Sequence, residues 1–488
     1  MAAMRTLSGI PAARVGRPRY DGCMQDRQEQ DPGIESIFWL AGAPDSTEPP
    51  LVGDGRTDIA IIGGGFTGLW TAIQLLDADP GLRVTLLEME RIGFGASGRN
   101  GGFCDASLTH GLANGVAHFP AEIRTLEAEG RRNLAELVDF VGAEGIDCAL
   151  ERTGSMSVAD QPHQVDELHE YADLAAAYDT EVRLFDRDAL QVEIRSPVFL
   201  AGLLVGPEQT VMLDPARLAR GLKQAAIRRG ARIHEGTRVT SVARQAGAVR
   251  VETAGGAILR AQHVVVATSA YSGWFGRLQP LFMPVYDYVL VSEPLTPDQL
   301  AAIGWGRRMG LSDAGNQFHY FRLTTDNRIL WGGYDAIYHA GNRVDPSLDQ
   351  RPATFDRLER HFLRAFPQLD GLRFPWRWGG AIDTTSRFMV TFGQTLGGRL
   401  TYAIGYTGLG VGASRWAGTV VRDLILDPTA DRLQLEIVRS SPVPFPPEPA
   451  RWLAVEAVRR ELARADEHEG RRGLLLRTLD AIGIGFDS

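Results

Sequence analysis

Three glycines in the first fifth of the chain have the spacing of a phosphate-binding turn. They are Gly63, Gly65 and Gly68. The first permits a tight turn, the second lets the backbone close on a pyrophosphate because it has no Cβ, and the third lets a helix pack tightly on a sheet. Glu88 follows twenty residues after Gly68, where an acid accepts hydrogen bonds from a ribose diol. This spacing predicts the binding of a dinucleotide.

The elements around these residues are those that such a turn requires. An apolar strand from Asp58 to Ile62 leads into the glycines, a helix with one apolar stripe follows, and a second strand runs from Arg83 to Leu87. The start of a helix presents unpaired N–H groups and the positive end of its dipole to phosphates. Because strand, turn, helix, strand and acid come in this order, the segment predicts a Rossmann-type unit.

Two further glycine-rich segments can face the same ligand. Residues 95–102 form a polar loop, and the strand from Leu400 to Ile404 leads into residues 405–412 and then into a helix that ends near Leu426. A glycine loop that opens a helix suits an anionic or electron-rich ligand. The apolar strand from His263 to Ala267 predicts that the chain returns to the Rossmann sheet at Thr268.

The remaining patterns predict the overall organisation. Residues 120–200 have mostly helical periodicity, Asp214 is the N-cap of a further helix, and aromatic segments between residues 280 and 395 predict an antiparallel sheet. The fold class is therefore predicted as α/β, with an α+β substrate domain inserted into a Rossmann-type domain. The predicted ranges are 34–108, 205–279 and 376–430 for the Rossmann-type domain, and 109–204 and 280–375 for the substrate domain.

The two ends of the chain lie outside these domains. Residues 1–33 are predicted to be a disordered extension without the apolar core of a signal peptide. Residues 431–488 are predicted to be a helical tail that packs on its own domain or, as the alternative, contacts a membrane or a partner.

The composition excludes several classes of function. The 488 residues exceed the usual size of one hydrophobic core, and 44% are apolar and 23% charged, as in soluble globular proteins. The net charge of −9 argues against nucleic acid as a partner, and no apolar run is long enough to span a membrane. The three cysteines have neither metal-binding nor disulfide spacing, which predicts no metal site and a cytoplasmic location.

Four landmarks together carry a family resemblance. They are the turn at Gly63, the Ala96–Gly102 loop, the strand that ends before Thr268, and the loop that begins at Gly405. Over about residues 35–430 the chain resembles the glycine oxidase and D-amino-acid oxidase superfamily of FAD-dependent amine oxidoreductases. Within it, the Ser97–Gly102 segment is most similar to the gamma-glutamylputrescine oxidoreductase branch.

The resemblance implies noncovalent FAD and a reaction at a C–N bond. The implied substrate is an amine or amino acid, such as a gamma-glutamylputrescine-like or other secondary or acylated amine, which gives a hydride to flavin N5. Backbone N–H groups of the last glycine loop are implied to stabilise the reduced ring. The implied FAD-binding residues are Gly63, Gly65, Phe66, Thr67, Gly68, Glu88, Ser97, Gly98, Arg99, Asn100, Gly101, Gly102, Val239, Ala267, Thr268, Gly405, Gly408, Leu409, Gly410 and Val411.

The substrate candidates come from the predicted antiparallel sheet. Phe318, Tyr320 and Arg322 share one strand face, where Arg322 could clamp a carboxylate and the rings could surround an amine or an alkylammonium group. Asp383 is a further candidate for pairing with a substrate cation. No acid–base residue is predicted, because the flavin performs the chemistry, and His110 and His319 are expected to be structural. The candidates are Tyr286, Tyr288, Tyr320, Arg322, Trp331 and Tyr334.

Several departures from the family pattern leave alternatives open. Leu409 occupies a place where the family often has histidine, and Cys104 is near the first loop as a covalent alternative for flavin attachment. Lys223 is the only lysine, which leaves oxygen and another electron acceptor both open. A flavin-dependent monooxygenase and a non-catalytic flavin-binding subunit are the alternative functions, although a Gly-Asp pair typical of monooxygenases is missing at Gly405. The oligomeric state is not indicated.

Overall fold

The computed structural model describes residues 36–41 and 47–481. The predicted disordered extension, residues 1–33, lies outside these residues. In the described part of the chain the strands are β1 (Gly55–Ile62), β2 (Val84–Leu87), β3 (Phe103–Asp105), β4 (Ser155–Ala159), β5 (Val182–Phe185), β6 (Ala201–Val205), β7 (Thr210–Met212), β8 (Arg232–His234), β9 (Val239–Gln245), β10 (Ala248–Thr253), β11 (Ile258–Val266), β12 (Met283–Val291), β13 (Gly310–Asp313), β14 (His319–Leu323), β15 (Ile329–Tyr338), β16 (Trp376–Thr384), β17 (Thr391–Thr395) and β18 (Leu400–Ile404).

The helices lie between and after these strands. They are α1 (Phe66–Ala78), α2 (Leu112–His118), α3 (Ile123–Ala143), α4 (Pro162–Ala177), α5 (Arg187–Glu193), α6 (Pro215–Arg228), α7 (Pro297–Ile303), α8 (Pro352–Ala365), α9 (Gly410–Leu426), α10 (Glu436–Arg439), α11 (Ala450–Glu467) and α12 (Leu474–Ala481). Helix α6 begins as predicted, because the Asp214 side chain accepts a hydrogen bond from the backbone N–H of Arg217 at 2.9 Å. No helix among the described residues has the length and apolar character that crossing a bilayer requires.

The first sheet is of the Rossmann type, in agreement with the predicted fold class. Its strand order is β17-β18-β11-β1-β2-β8, and strands β8, β2, β1, β11 and β18 run parallel. The hairpin β9–β10 continues the sheet beside β11. Strand β1 is buried between two parallel neighbours, which explains why Ile59 to Ile62 form a continuous apolar run rather than an alternating one.

The second sheet has the order β16-β12-β15-β14-β13-β4-β6-β5 and is antiparallel except for the pair β4 and β13. The sequence predicted its aromatic half, β12 to β16. It did not predict β4, β5 and β6, because residues 120–200 were expected to be mostly helical. These three strands are only four or five residues long and lie between α3, α4 and α5, so the helical periodicity of their neighbours dominates the pattern.

Two of the predicted domain boundaries differ from the structure. Strand β16, which was predicted to belong to the Rossmann-type domain, pairs with β12 over Trp376–Thr384 and is the edge of the antiparallel sheet. Helix α3, which was predicted to belong to the substrate domain, packs its Leu134 and Leu137 in the same hydrophobic core as Leu69 of α1. Both differences arise because pairing and packing partners far apart along the chain are not visible in local periodicity.

Lys223 of α6 lies in the Rossmann-type domain, away from the antiparallel sheet. It is 4% exposed, and its ammonium nitrogen lies 2.7 Å from Glu235 and 3.4 Å from Glu48. The Glu235 carboxylate also accepts hydrogen bonds from the backbone N–H groups of Ile92 and Glu48, each at 2.6 Å. Glu235 therefore ties together β8, the loop after β2 and residue 48, with Lys223 as its counter-ion.

Replacing Lys223 with methionine should lower the thermal unfolding midpoint markedly. The variant leaves the buried Glu235 carboxylate without its counter-ion, a change that costs about 3–5 kcal/mol. The matched control is Arg217→Met on the same helix, because the side chain of Arg217 is 45% exposed and that of its ion-pair partner Asp147 is 86% exposed. Surface pairs contribute at most about 1 kcal/mol. Equal midpoints for the two variants, measured by calorimetry, would contradict the structural role of Lys223.

Candidate functional site

A cavity of about 2200 Å³ is lined by residues of both sheets. Pockets for drug-sized ligands occupy about 300–1,000 Å³, so this cavity has room for a larger ligand, or for two ligands together. Residues of both predicted glycine turns, although more than 330 positions apart in the sequence, line it. The cavity is therefore the candidate site for the cofactor and the substrate.

The first glycine turn has the geometry that its spacing predicts. Gly63 has a φ of +110°, and a Cβ there would lie 2.3 Å from the carbonyl oxygen of Ala267 on the next parallel strand. A Cβ on Gly68 would lie 2.0 Å from the carbonyl oxygen of Gly63, so only glycine lets α1 pack on the turn. Gly65 is the N-cap of α1 without any side-chain cap, and the N terminus of α1 faces the cavity.

Glu88 lies at the end of β2 and lines the cavity. Its carboxyl group accepts hydrogen bonds from the backbone N–H groups of Gly64 at 2.6 Å and Glu90 at 2.9 Å. Burial raises the pKa of Glu88 to about 7, and these two hydrogen bonds act in the opposite direction. Glu88 therefore lies beside the first glycine turn, where its spacing from Gly68 predicts an acid.

The loop from Ser97 to Gly102 connects the two sheets. The Ser97 hydroxyl accepts a hydrogen bond from the backbone N–H of Phe66 at 2.9 Å, which places the loop over the start of α1. Arg99 donates to the carbonyl oxygens of Phe94 at 2.8 Å and Gly379 at 3.2 Å, and it forms an ion pair with Asp349. The Arg99 guanidinium therefore fixes the loop to β16 of the antiparallel sheet.

The second glycine turn is held by a buried carboxyl group. Asp383 accepts hydrogen bonds from the backbone N–H groups of Gly405 at 2.6 Å and Tyr406 at 3.3 Å, and burial raises its pKa to about 6. The sequence suggested Asp383 as a partner for a substrate cation; Asp383 lines the cavity, and its carboxyl group orients the loop. The Tyr406 hydroxyl accepts a hydrogen bond from Thr67 at 2.7 Å, which joins the two glycine turns directly. Helix α9 then begins without a side-chain cap.

Most of the predicted cofactor-binding residues line this one cavity. They are Gly63, Gly65, Phe66, Thr67, Glu88, Ser97, Arg99, Asn100, Gly101, Val239, Ala267, Thr268, Gly408, Leu409, Gly410 and Val411. The other four predicted residues lie behind the cavity wall, because each packs closely on neighbouring atoms of the fold. Gly68 packs against the carbonyl oxygen of Gly63, and Gly98 packs against that of Gly93. Gly102 packs against the carbonyl oxygen of Leu213, and Gly405 packs against the side chain of Thr385.

One cross-strand row of the antiparallel sheet forms the opposite wall. Reading across the paired strands from β6 to β16, the row is Leu203, Ser157, Ser312, Tyr320, Gly332, Val289 and Trp378. All of these except Gly332 line the cavity. The sheet therefore presents small hydroxyl side chains at one end of the row and aromatic rings toward the other.

Tyr320 is held in this row between two glycines. A Cβ on Gly332 would lie 2.5 Å from the Cζ atom of Tyr320, and a Cβ on Gly101 would lie 2.7 Å from its Cε2 atom. Phe103 packs edge-on against the ring with centroids 6.0 Å apart. The Tyr320 hydroxyl donates a hydrogen bond to the Asp287 carboxylate. The position of the phenol is therefore fixed on both faces and at its hydroxyl.

Asp287 is a site residue that the sequence analysis missed. Its side chain lines the cavity, and its carboxylate also accepts a hydrogen bond from the backbone N–H of Tyr288 at 2.8 Å. Burial raises the pKa of Asp287 to about 6, whereas the hydrogen bond from Tyr320 and the charge of His319 lower it. The sequence did contain a signal for Asp287, because it is an acid within the otherwise apolar strand β12. Burying a carboxylate that has no function is unfavourable.

The structure does not bring all substrate candidates to the cavity. Tyr286 and Tyr320 line it, whereas Tyr288 and Trp331 point into the hydrophobic core of the substrate domain. Arg322 shares the strand face of Tyr320, as predicted, but the loop before β3 covers it. Its guanidinium donates to the carbonyl oxygens of Gly102 and Leu213, at 3.2 and 2.8 Å, so it does not clamp a substrate carboxylate. The side chain of Tyr334 lies outside the described residues.

The other side chains singled out from the sequence have structural contacts. His110 lines the cavity, and its Nε2 atom lies 3.0 Å from the carbonyl oxygen of Thr407. His319 lies behind the sheet face and contacts Asp313 at 2.6 Å and His361 at 2.9 Å. Cys104 is fully buried in the hydrophobic core, where burial raises the pKa of its thiol, and it does not line the cavity.

The C-terminal segment forms another part of the cavity wall. Residues 443–446 and one face of α11, including Arg451, Val458 and Leu462, line the cavity. Arg451 donates to the side-chain oxygen of Asn342 at 2.7 Å, and Asp466 accepts from the backbone N–H groups of residues 316 and 317 at 2.9 and 3.1 Å. The sequence predicted a helical tail that packs on its own domain, and the segment packs on the substrate domain beside the cavity.

Comparisons with known proteins agree with this geometry. Residues 58–424 match the family model DAO, described as FAD dependent oxidoreductase. Among curated proteins, the gamma-glutamylputrescine oxidoreductase of Escherichia coli is 32% identical over 389 residues, covering 75% of this chain and 83% of that protein. A probable oxidoreductase OrdL of Haemophilus influenzae is 28% identical over 424 residues, covering 84% of this chain and 92% of that protein.

Solved structures show the same fold. Glycine oxidase from Geobacillus kaustophilus superposes with a TM-score of 0.65 at 19% identity, covering 79% of this chain and 99% of that chain. L-proline dehydrogenase from P. horikoshii has a TM-score of 0.63 at 19% identity, covering 78% of this chain and 95% of that chain. The family match favours an oxidoreductase of amines or amino acids over the monooxygenase alternative. The protein is an FAD-dependent enzyme and belongs to the DAO family of FAD dependent oxidoreductases.

Proposed function

We propose that this enzyme oxidises the C–N bond of a secondary or acylated amine while FAD lies between the two glycine turns. The observation that carries the proposal is the common cavity: the Gly63 turn, the Gly408 loop, Tyr320 and Asp287 all line it. A cofactor held by both turns lies beside the wall of the antiparallel sheet, where an amine can bind.

The residues present fit FAD. Helices α1 and α9 both begin without a side-chain cap from their N-cap residues and with their first residues in the cavity wall. The Ser97 hydroxyl accepts from the N–H group of Phe66, so the remaining N–H groups of the two first turns would face an anionic or electron-rich ligand. The start of α1 would hold the pyrophosphate, and Glu88 would accept hydrogen bonds from the ribose diol. Val239 would border the adenine, and residues 407–411 would border the isoalloxazine ring.

When bound, FAD supplies the acceptor for a hydride equivalent from the carbon beside the substrate nitrogen, and the resulting imine hydrolyses to a carbonyl compound and an amine. The protein has to present the amine in its neutral form, since a protonated nitrogen holds the electron pair that the reaction requires. It also has to keep the amine near the flavin and away from bulk water.

Asp287 and Tyr320 are suited to bind and deprotonate the substrate nitrogen. Burial raises the pKa of Tyr320 far above its ordinary value, so the phenol stays protonated and donates to Asp287. Above about pH 6, the Asp287 carboxylate is ionised and can accept the proton of a substrate ammonium group. Phe103, Phe318 and Trp378 line the cavity around this pair and exclude water from it.

The substrate class follows from the site and from the relatives together. One relative is named a gamma-glutamylputrescine oxidoreductase, an enzyme acting on an acylated diamine. In the present site the Arg322 guanidinium is bound to backbone carbonyl groups, so the wall of the sheet offers an amine-binding carboxylate and not a carboxylate-binding arginine. The acceptor of the electrons from reduced FAD is oxygen or another small acceptor.

The function is tested by mixing the purified FAD-containing protein with amines under anaerobic conditions. We expect the absorbance of oxidised flavin to bleach with secondary or acylated amines, and more slowly or not at all with simple amino acids. Re-oxidation by air with release of peroxide identifies an oxidase, and re-oxidation by a dye alone identifies a dehydrogenase. A flavin that stays oxidised with polyamines, gamma-glutamylated amines, N-methyl amino acids and amino acids would contradict the proposal.

The rate of flavin reduction at saturating amine should rise with pH through about pH 6. Because burial places the pKa of Asp287 near that value, its carboxyl group is protonated below it and cannot accept the substrate proton. Asp287→Asn should abolish this rise of the rate with pH and reduce the rate of flavin reduction by about 100-fold or more. Tyr320→Phe should shift the rise of the rate to higher pH, because the hydrogen bond from the phenol lowers the Asp287 pKa and is lost in this variant. An unchanged profile in Asp287→Asn would assign the deprotonation to another group.

Gly332→Ala should lower the rate of flavin reduction without releasing FAD. The added Cβ would lie 2.5 Å from Cζ of Tyr320, so the ring has to move, and a displacement of about 1 Å costs about 100-fold in rate. Gly276→Ala is the matched control, because nothing lies within 4 Å of its added Cβ. Stopped-flow absorbance and the flavin-to-protein ratio measure the two effects. Full activity in Gly332→Ala would show that the position of Tyr320 does not matter.

A further inference from the structure

The cavity extends beyond Tyr320 into a lobe that the proposed reaction does not use. We call the part bounded by β3, α3, α4 and β4 the distal lobe. Its floor carries hydroxyl groups: Ser155 donates to Thr210 at 3.2 Å, and the hydroxyl oxygens of Ser157 and Ser312 lie 3.4 Å apart. Both serines of β4 lie on the same face as the row that contains Tyr320. The lobe is thus a polar continuation of the proposed amine site.

Two carboxyl groups, on β3 and α3, lie near this floor, and Glu167 of α4 also lines the cavity. Asp105 at the end of β3 accepts a hydrogen bond from Thr210 at 2.6 Å, and Glu127 of α3 is only 9% exposed. Both lie close enough to Tyr171 of α4 for their charges to act on its phenol. Arg131, on the next turn of α3, forms an ion pair with Glu127 at 3.8 Å. At that distance the guanidinium makes no close hydrogen-bonded pair with the Glu127 carboxylate.

The lobe contains no cationic side chain in its own wall. Among the described residues, every arginine that lines the cavity belongs to another part of its wall. One arginine lies in the loop before β3, one directly before β9, one after β15, and two on α11. These are Arg99, Arg238, Arg343, Arg451 and Arg459. Apart from the Arg131 ion pair at 3.8 Å, the charge of Glu127 is not balanced by any described arginine that lines the cavity, so a cationic ligand in the lobe can pair with Glu127 and Asp105.

An independent observation points to a ligand in the same lobe. The Thr180 side chain lines the cavity and is 8% exposed, and its hydroxyl oxygen has no hydrogen-bond partner among the described residues. A buried hydroxyl without a partner costs about 1–3 kcal/mol. A molecule bound in the lobe can supply the missing hydrogen-bond partner of Thr180.

The lobe is close to the place where the flavin ring would lie. The Asp105 backbone packs against Gly412, where a Cβ would lie 2.1 Å from the Asp105 carbonyl oxygen. Asn133 of α3 donates to the carbonyl oxygen of the same Gly412 at 2.9 Å. Gly412 follows directly after the loop of residues 407–411. One elongated molecule can therefore reach from that loop to Asp105 and Glu127.

We propose that the distal lobe binds a second, protonated amino group of the substrate, at Asp105, Glu127 and Thr180. The substrate class is then an aliphatic diamine or polyamine with a free primary or secondary amino group at the reacting end and a second cationic group several carbons from the oxidised carbon. Leu168, Leu203 and Val205 line the cavity beside these groups and suit the methylene chain. The inference rests on the proposed amine oxidation, because the first amino group has to be at Asp287.

The test compares 1,4-diaminobutane, spermidine and butylamine in anaerobic stopped-flow reduction of the FAD-containing enzyme. This measurement separates the dissociation constant from the limiting rate of reduction. We expect Glu127→Gln to weaken binding of the two polyamines by about 10-fold or more, with the limiting rate and the binding of butylamine unchanged. Asp139→Asn is the matched control, because Asp139 is exposed on the same helix and does not line the cavity.

Thr180→Val tests the unpartnered hydroxyl. The valine variant should keep or raise the thermal unfolding midpoint, because it removes a buried polar group without a partner, and it should weaken the binding of the polyamines alone. A lower midpoint with unchanged binding would show a purely structural role and would overturn the assignment of Thr180.

Two results would overturn the inference as a whole. One is equal binding of 1,4-diaminobutane and butylamine to the unaltered enzyme, and the other is an equal loss for both amines in Glu127→Gln. If no amine reduces the flavin, the proposed function fails by itself. Calorimetric titration with 1,4-diaminobutane then still tests the lobe, since Glu127→Gln has to raise the dissociation constant by about 10-fold or more if the site exists.

Discussion

One hydrogen bond between distant parts of the chain defines the geometry of this enzyme. The Thr67 hydroxyl at the start of α1 donates to the Tyr406 hydroxyl of the second glycine turn, 339 residues later. Asp383 fixes the other side of that turn through the backbone N–H groups of Gly405 and Tyr406. Two helix N termini are thereby brought to one cavity, and a ligand with a phosphate end and an electron-accepting ring can bind to both.

The second constraint is the close approach of backbones at glycine. The turn at Gly63 packs on the Ala267 carbonyl group, Gly412 packs on the Asp105 carbonyl group, and Gly332 leaves room for the Tyr320 ring. Each contact leaves no space for a Cβ. The first two hold the layers around the cofactor cavity together, and the third sets the distance between the antiparallel sheet and that cavity. Fold and site are therefore determined by the same atoms.

The parts of the structure that local sequence determines could be predicted. The Gly63 turn, α1, β2 and Glu88 form one contiguous unit, and their spacing alone gives the right arrangement. The alternation of side chains between the two faces of a strand also predicted that Tyr320 and Arg322 lie on the same face. It could not show that the Gly101–Gly102 backbone covers Arg322, since what lies above a sheet face depends on distant segments. The same limit explains why the short strands β4 to β6 and the cavity wall from α11 were not predicted, whereas Asp287 was detectable as an acid in an apolar strand.

The buried position of Lys223 has a chemical consequence for an enzyme of this kind. Oxidation of a primary C–N carbon releases an aldehyde, and aldehydes condense with free side-chain amines to give Schiff bases. The only lysine of the sequence is 4% exposed and ion-paired with Glu235. If the proposed oxidation releases an aldehyde, the folded enzyme would offer it no accessible lysine side chain.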